Sequence, residues 1–313
     1  MQYFDAARTA DRLDYPVLIP ALRSGMATEA SVPPRKHYAL DEGTAEEAGA
    51  TLLVMPAWNR EFLGVKLVDV FPGNAARNLP ALSSAYVLAD GRTGEHLALI
   101  DGGELTRRRT VATAALGAAL LSPEDARTHL IVGTGHIGGA VYDAYAAVRP
   151  HLSTTLVADP HNPAGARALA ADLVRRGVNA SPVEDLPSAV GRADLITTAT
   201  LAREPVLRDE WITPGTHLDL IGSFRPEMHE VDPSLLGRAT VFVDHPVALT
   251  EAGEIATALA RGVLTEEDVA ATLPELCART TPRPREEGEI TVFKTVGTGL
   301  TDLVAAVTVY TST

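Results

Sequence analysis

HLIVGTGHIGG, residues 129–139, decides the reading of this chain. An apolar run ends abruptly in Gly133-Thr134-Gly135-His136-Ile137-Gly138, a G-x-G-x-x-G spacing, and the AVYDAYAAV that follows has helical character. The glycines alone are weak, since an ordinary glycine-rich turn between strand and helix can carry the same letters. Their surroundings are more specific: TTLVADP, residues 154–160, is a second apolar run, and Asp159 closes it 21 residues after Gly138. That order is the dinucleotide-binding fingerprint, in which the first glycine permits a tight turn and the second lets backbone approach a pyrophosphate. The third lets helix pack on strand, and the helix N-terminus offers N–H groups and a positive dipole to the phosphates.

Gly133, Thr134, Gly135, His136, Ile137, Gly138 and Asp159 are therefore candidate cofactor contacts. A carboxylate at Asp159 is placed to accept from ribose hydroxyls and to repel a 2′-phosphate, and Pro160-His161-Asn162 supplies no arginine to offset it. NAD(H) is favoured, with NADP(H) as the alternative.

Further along, ADLITTAT (193–200), THLDLIG (216–222) and ATVFVDH (239–245) read as buried strands alternating with helical segments such as AGARALAADLVRRG (164–177). That alternation indicates a doubly wound parallel α/β sheet of the Rossmann type. Before the fingerprint the rhythm differs. TLLVM (51–55), FLGVKLVDVF (62–71) and SSAYVLA-DGRTG-EHLALID (83–101) are strand and turn signals, and the first hundred residues read as strands and loops. ELTRRRTVATAALGAALL (104–121) reads as a long helix, and the tail from 289 as a strand and a helix. The expected division is a β-rich domain of residues 1–115 with 290–313, and a nucleotide-binding domain of residues 116–289.

The length of 313 residues fits one large domain or two, and 46% hydrophobic residues exclude a disordered chain. Forty acidic against 27 basic residues give a net charge of −13, which argues against nucleic acid or an anionic membrane as partner. An anionic ligand must then find a local cationic pocket. The single Cys277 can form no internal disulfide, and the nine histidines have no metal-ligand spacing, so no metal site is expected. Without a signal-like N-terminus or a membrane-length apolar run, the expected location is the cytoplasm.

Three cations stand out in the N-terminal part: Arg35, Lys66 and Arg109. Lys66 lies within an apolar strand, so it is either on a wet face or deliberately buried with a partner. Arg107, Arg108 and Arg109 oppose the helix dipole at a helix start and call for a compensating anion; Glu104 can serve the first two. Guanidinium and ammonium groups together suit a carboxylate clamp.

With these cations and the fingerprint in place, the chain resembles the ornithine cyclodeaminase/mu-crystallin family over nearly its whole length. The resemblance is carried by MPAWNREFLGVKLVDVFPGN, DGRTGEHLALIDGGELTRRRTVATAAL, VGTGHIGG, TTATLAREPV, PGTHLDLIGSFRPEMHEVD and ITVFKTVGTGLTDL. It implies a Rossmann domain plus a substrate and dimerisation domain, in a homodimer whose N-terminal strands join across the interface. It also implies that Arg35, Lys66 and Arg109 bind the substrate carboxylate, and that the segment from Thr198 to Thr200 and Val296-Gly297 pass near the nicotinamide.

One departure bears on the chemistry. Where true ornithine cyclodeaminases carry a proton-handling aspartate after the strand matching THLDLIG, this chain has Phe224, with Asp219 and Glu230 flanking it. Together with MPAW, the GSFRPEMHE segment looks like the branch that reduces the cyclic ketimines Δ1-pyrroline-2-carboxylate and Δ1-piperideine-2-carboxylate to L-proline and L-pipecolate. The resemblance thus implies an NAD(P)H-dependent imine reductase, with Lys66, Ser223 or a water relaying the proton. Alternatives are an ornithine or lysine cyclodeaminase with catalytic NAD+, an amino acid or opine-type dehydrogenase, and a mu-crystallin-like binding protein without turnover.

Overall fold

A computed structural model of the chain describes residues 1–41 and 49–312. The chain forms two compact units, Met1–Arg109 with Thr298–Thr313, and Thr110–Gly297.

The first unit is built on a six-stranded sheet of β1 (Gln2–Phe4), β2 (Lys36–Ala39), β3 (Thr51–Trp58), β4 (Phe62–Val70), β5 (Leu82–Asp90) and β6 (His96–Asp101). Its order is β1-β6-β5-β4-β3-β2, antiparallel except for the parallel β1–β6 pair. Asp90 closes the β5–β6 turn by accepting from the backbone N–H groups of Arg92 and Thr93, each at 2.8 Å. Strand alternation puts Gly64, Lys66 and Val68 of β4 on the face packed against the helix Gly299–Thr311. Val65 and Leu67 face the other way, in line with Val54, Val87 and Leu99, and these five remain partly exposed.

Two helices, Ala6–Arg12 and Tyr15–Met26, stand where the sequence reads as strands and loops. Pro16 and Pro20 look like helix breakers. Pro16, however, lies in the first turn, where no N–H is required, and the Asp14 carboxylate accepts from the Tyr15 N–H at 3.0 Å. Burial of Leu18, Ile19, Leu22 and Met26 holds the helix despite Pro20.

The second unit is the expected doubly wound α/β fold. Its strands are β7 (Thr128–Val132), β8 (Thr154–Ala158), β9 (Ala180–Pro182), β10 (Leu195–Thr198), β11 (His217–Leu220), β12 (Thr240–Val243), β13 (Val269–Thr272) and β14 (Thr291–Lys294). They form an all-parallel sheet of order β13-β12-β14-β11-β10-β7-β8-β9. The winding reverses between β7 and β10, which makes the carboxyl end of β7 the topological switch point where such folds take ligands. Leu130, Val132, Ile196, Leu218, Leu220 and Val292 lie together in its core.

The unit boundaries differ from those expected. All four residues of β14 are buried and the strand sits between β11 and β12, so the chain returns to the first unit at Thr298 rather than at 290. The helix Gly102–Leu121 divides between Arg109 and Thr110 rather than at 115. Its last carbonyls are capped by the buried Arg149, whose Nη2 donates to the Ala118 oxygen at 2.7 Å and the Ser122 oxygen at 2.9 Å. Among the described residues no helix is long and apolar enough to cross a membrane.

Candidate active site

The fingerprint loop leaves β7 through Gly133, whose φ of +104° is a region that glycine favours. A Cβ there would stand 2.4 Å from the Ala199 oxygen, and one at Gly138 would stand 2.0 Å from the Gly133 oxygen. Around Gly135, by contrast, there is open space. The N–H groups of Gly135, His136 and Ile137 donate to no carbonyl among the described residues, and the helix Val141–Val148 follows one short turn later. Successive unclaimed N–H groups at the head of a helix suit an anionic diphosphate without any formal positive charge.

Asp159 follows β8 and is half-buried. Its Oδ2 accepts from the Thr134 N–H at 3.0 Å and the Thr134 hydroxyl at 2.7 Å, while Oδ1 accepts from the N–H groups of His161 at 3.2 Å and Asn162 at 2.9 Å. Asp159 therefore ties the fingerprint loop to β8, and Thr134 has its hydroxyl proton committed there.

Thr198, Thr200, Val296 and Gly297 are tied down by two acids: Glu230, which the sequence marks only as flanking Phe224, and Asp244, which sequence reasoning passed over. Glu230 accepts from the Thr200 N–H at 2.8 Å and hydroxyl at 3.0 Å, and from the Gly222 N–H at 2.6 Å; Thr198 lies against the same carboxylate. Asp244, one residue beyond β12, accepts from the N–H groups of Val296 at 3.1 Å and Gly297 at 2.7 Å. The one local signal for Asp244 is an acid directly following a buried strand.

Ser223 needs correction as a candidate proton relay. Its buried hydroxyl donates to the Met228 oxygen at 2.7 Å and accepts from the Gly253 N–H at 3.0 Å, so its one proton already closes the 223–228 loop. Phe224 itself is 40% exposed, with the Arg225 guanidinium 5.8 Å from its ring centre. Neither flanking acid substitutes for it. Asp219 faces the side of the sheet opposite Leu218 and Leu220, fully buried with His217 Nε2 at 3.2 Å, and Glu230 is held in the strand-end loops.

In the first unit Lys66 is buried, at 2% exposure, and its ammonium lies 2.9 and 2.7 Å from the two carboxylate oxygens of Asp302, in the first turn of the helix Gly299–Thr311. Arg109 is buried too, and its Nε donates to Asp302 Oδ1 at 2.7 Å. Burial lowers Lys66 to about 8; Asp302 opposes that shift, while Arg109 and Arg35 reinforce it. Burial pushes the Asp302 carboxyl up, but Arg109 and Lys66 outweigh it and hold the group below the usual carboxylate range. Arg35, half-buried before β2, thus acts on the same cluster through its charge. Three cations thus gather around the Asp302 carboxylate. Arg107 and Arg108 are not part of it: their Nε atoms donate to Glu104 at 2.7 and 2.9 Å. Tyr86, opposite Lys66 in β5, adds a buried hydroxyl with no hydrogen-bond partner among the described residues.

A profile of the ornithine cyclodeaminase/mu-crystallin family matches residues 19–313. The Δ1-pyrroline-2-carboxylate reductase of Paracoccus denitrificans is 39% identical over 258 residues, covering 82% of this chain and 81% of that protein. Among solved structures, the Δ1-pyrroline-2-carboxylate reductase of Thermococcus litoralis in complex with NADH and L-proline superposes with a TM-score of 0.90 at 28% identity, covering 99% of this chain and 96% of that one. An archaeal alanine dehydrogenase dimer with bound NAD gives a TM-score of 0.90 at 26% identity over 99% and 95% of the two chains. The sequence match spans both units, and the chain belongs to the ornithine cyclodeaminase/mu-crystallin family.

Proposed function

We propose that this chain is an NAD(H)-dependent reductase of cyclic ketimine carboxylates, converting Δ1-pyrroline-2-carboxylate or Δ1-piperideine-2-carboxylate to the cyclic amino acid. The observation that carries the reading is Phe224, exposed in the loop after β11, with Asp219 fully buried within that strand and Glu230 accepting from the Thr200 and Gly222 N–H groups. Deamination of a diamino acid needs a group there that takes up and releases protons. Reduction of a preformed imine needs only a hydride on carbon and a proton on nitrogen as the C=N π bond breaks. The Paracoccus and Thermococcus reductases support the same choice.

A bound dihydronicotinamide supplies the hydride. The chain's own residues do the rest by position and charge. Arg35, Lys66 and Arg109 hold the substrate carboxylate, and Asp302 keeps Lys66 and Arg109 in place. Lys66, lowered to about 8, holds a proton at Nζ near neutral pH with an affinity suited to its transfer to the imine nitrogen. The N–H groups of Gly135, His136 and Ile137 receive the diphosphate, and the carboxylate of Asp159 disfavours a 2′-phosphate, which supports NAD(H) over NADP(H). The partly exposed apolar face of Val54, Val65, Leu67, Val87 and Leu99 supports a homodimer joined through the first unit's sheet.

Incubation of the purified protein with Δ1-pyrroline-2-carboxylate tests the reading, with NADH or NADPH as reductant. Loss of reduced-cofactor absorbance with formation of L-proline is expected, faster with NADH. Absence of turnover with both cofactors from acid to alkaline pH refutes it. Release of ammonia from ornithine without net cofactor consumption would instead make the chain a cyclodeaminase.

A further inference from the structure

We infer that Glu230 is a positioning residue for hydride transfer: its buried carboxylate ties together the loops after two neighbouring strands, beside the end of a third, at the cofactor end of the second unit. The inference rests on the nicotinamide-dependent reading above and assigns a role to a residue that reading does not use.

Glu230 is fully buried, although it follows the exposed stretch Phe224–Glu227. One oxygen holds the loop after β10 through the Thr200 N–H and hydroxyl, and the other holds the loop after β11 through the Gly222 N–H. Lys294, the last residue of β14, is fully buried beside it, with Nζ 3.9 Å from Glu230 Oε2 and 3.0 Å from Glu254 Oε1. The bracket therefore spans the carboxyl ends of β10, β11 and β14, which are adjacent in the sheet.

The loops it joins have no slack. A Cβ at Gly222 would stand 2.0 Å from the Thr200 oxygen, and one at Gly133 would stand 2.4 Å from the Ala199 oxygen. Ala199-Thr200 is thus wedged between Gly222 and the first glycine of the fingerprint, so a shift of Thr200 is felt at the diphosphate loop on one side and at the Phe224 loop on the other. Burial raises the Glu230 carboxyl and Lys294 counters it, which ties the protonation of the bracket to its own ion pair. A passive brace needs no such arrangement, because buried ion pairs add little stability over well-packed neutral groups. Ionic acceptors aimed at two N–H groups do fix geometry tightly, and hydride transfer is steep in geometry.

The test uses the full chain, with Glu230→Gln and Thr200→Val as separate variants. Glu230→Gln keeps the size but turns one acceptor into a donor that faces the Gly222 N–H. Thr200→Val removes only the hydroxyl and leaves the backbone bond. Both are assayed for kcat and KM with NADH and Δ1-pyrroline-2-carboxylate, for the isotope effect with 4-deuterated NADH, for affinity toward ADP-ribose, and for Tm. Glu230→Gln is expected to lower kcat by roughly 10- to 100-fold, in the range of a small misplacement of reacting atoms, and to raise the isotope effect. ADP-ribose, which lacks the nicotinamide, should bind within about two-fold of wild type, the split a positioning role predicts. Thr200→Val should move kcat and the isotope effect the same way by a smaller factor, with Tm nearly unchanged.

The inference is overturned if both variants keep wild-type kcat, or if kcat falls only in step with ADP-ribose affinity and Tm. Should Glu230→Gln fail to fold, Thr200→Val decides alone. A wild-type protein that binds NADH yet reduces no imine would refute the functional reading by itself. The inference is then decided by the fluorescence of bound NADH: a change in either variant at unaltered ADP-ribose affinity supports it, and no change refutes it.

Discussion

Replacing Asp302 by Asn should move the pH dependence of activity in a predictable way. In the proposed reaction Lys66 must be an ammonium both to hold a carboxylate and to carry a proton, and at about 8 it is roughly nine-tenths protonated at pH 7 and one-tenth at pH 9. Wild-type kcat/KM should therefore fall about ten-fold between those two pH values. Asp302 is the group that raises Lys66 against the burial that lowers it. An opposite charge at hydrogen-bond distance shifts a pKa by ~1–3 units, so Asp302→Asn should bring the alkaline limb down to about pH 5–7. Activity at pH 7 then falls between about two- and 100-fold, and part of it returns on acidification. That recovery separates lost charge from lost structure, which removal of one buried partner also threatens at ~3–5 kcal/mol. The assay is kcat/KM from pH 5 to 10 (about one point per half unit), with Tm measured alongside. A competitive carboxylate without a basic nitrogen, pyrrole-2-carboxylate, controls for titration of the substrate imine. A wild-type profile flat through about pH 9.5, or a limb that Asp302→Asn leaves in place, would refute the reasoning.

Other perturbations are as direct. Asp159→Ala removes the acceptor of two Thr134 bonds and the charge facing a 2′-phosphate; the preference for NADH over NADPH, measured as a ratio of kcat/KM values, should fall by about ten-fold or more. Arg149→Ala takes the Arg149 donor from the Ala119 and Ser122 carbonyls, so about 3 kcal/mol of stability should disappear, read as a Tm lowered by roughly 6–12 °C. Leu67→Glu puts a charge into the partly exposed apolar face of the first sheet and should yield monomers in sedimentation experiments, whereas an unchanged mass would exclude that face as the dimer contact.

What could be read from the sequence follows the range of the interactions. The fingerprint is legible because its strand, its glycines, its helix and Asp159 lie within some thirty residues and each has a local reason for its type. Glu104 could be assigned to Arg107 and Arg108 because it is three and four residues away on one helix. Asp302 could not be assigned to Lys66, since 236 positions separate them and an acid in a helix's first turn already has an ordinary explanation in the dipole. The roles of Glu230 and Asp244 were hidden for a related reason: most of their partners are backbone N–H groups, which leave no trace in residue identity. Ser223 erred the other way. A serine beside a candidate site invites a chemical role, yet the Met228 and Gly253 backbone claims its hydroxyl.

The excess of acid over base also changes meaning once the acids are located. A net charge of −13 seems to forbid anionic ligands, yet charges farther apart than about 8–10 Å are largely screened in physiological salt. What a ligand meets is the sign of the nearest few side chains, and in the first unit Arg35, Lys66 and Arg109 gather around Asp302. Asp302 does not cancel the cluster but makes it feasible, because two buried cations without an anion would shed a proton from the lysine. In the second unit Asp159, Glu230 and Asp244 likewise act as acceptors that fix loops, while the N–H groups of Gly135, His136 and Ile137, which carry no formal charge, donate to no carbonyl among the described residues. Acidic residues thus hold the cations and backbone loops from which the proposed anion sites are built.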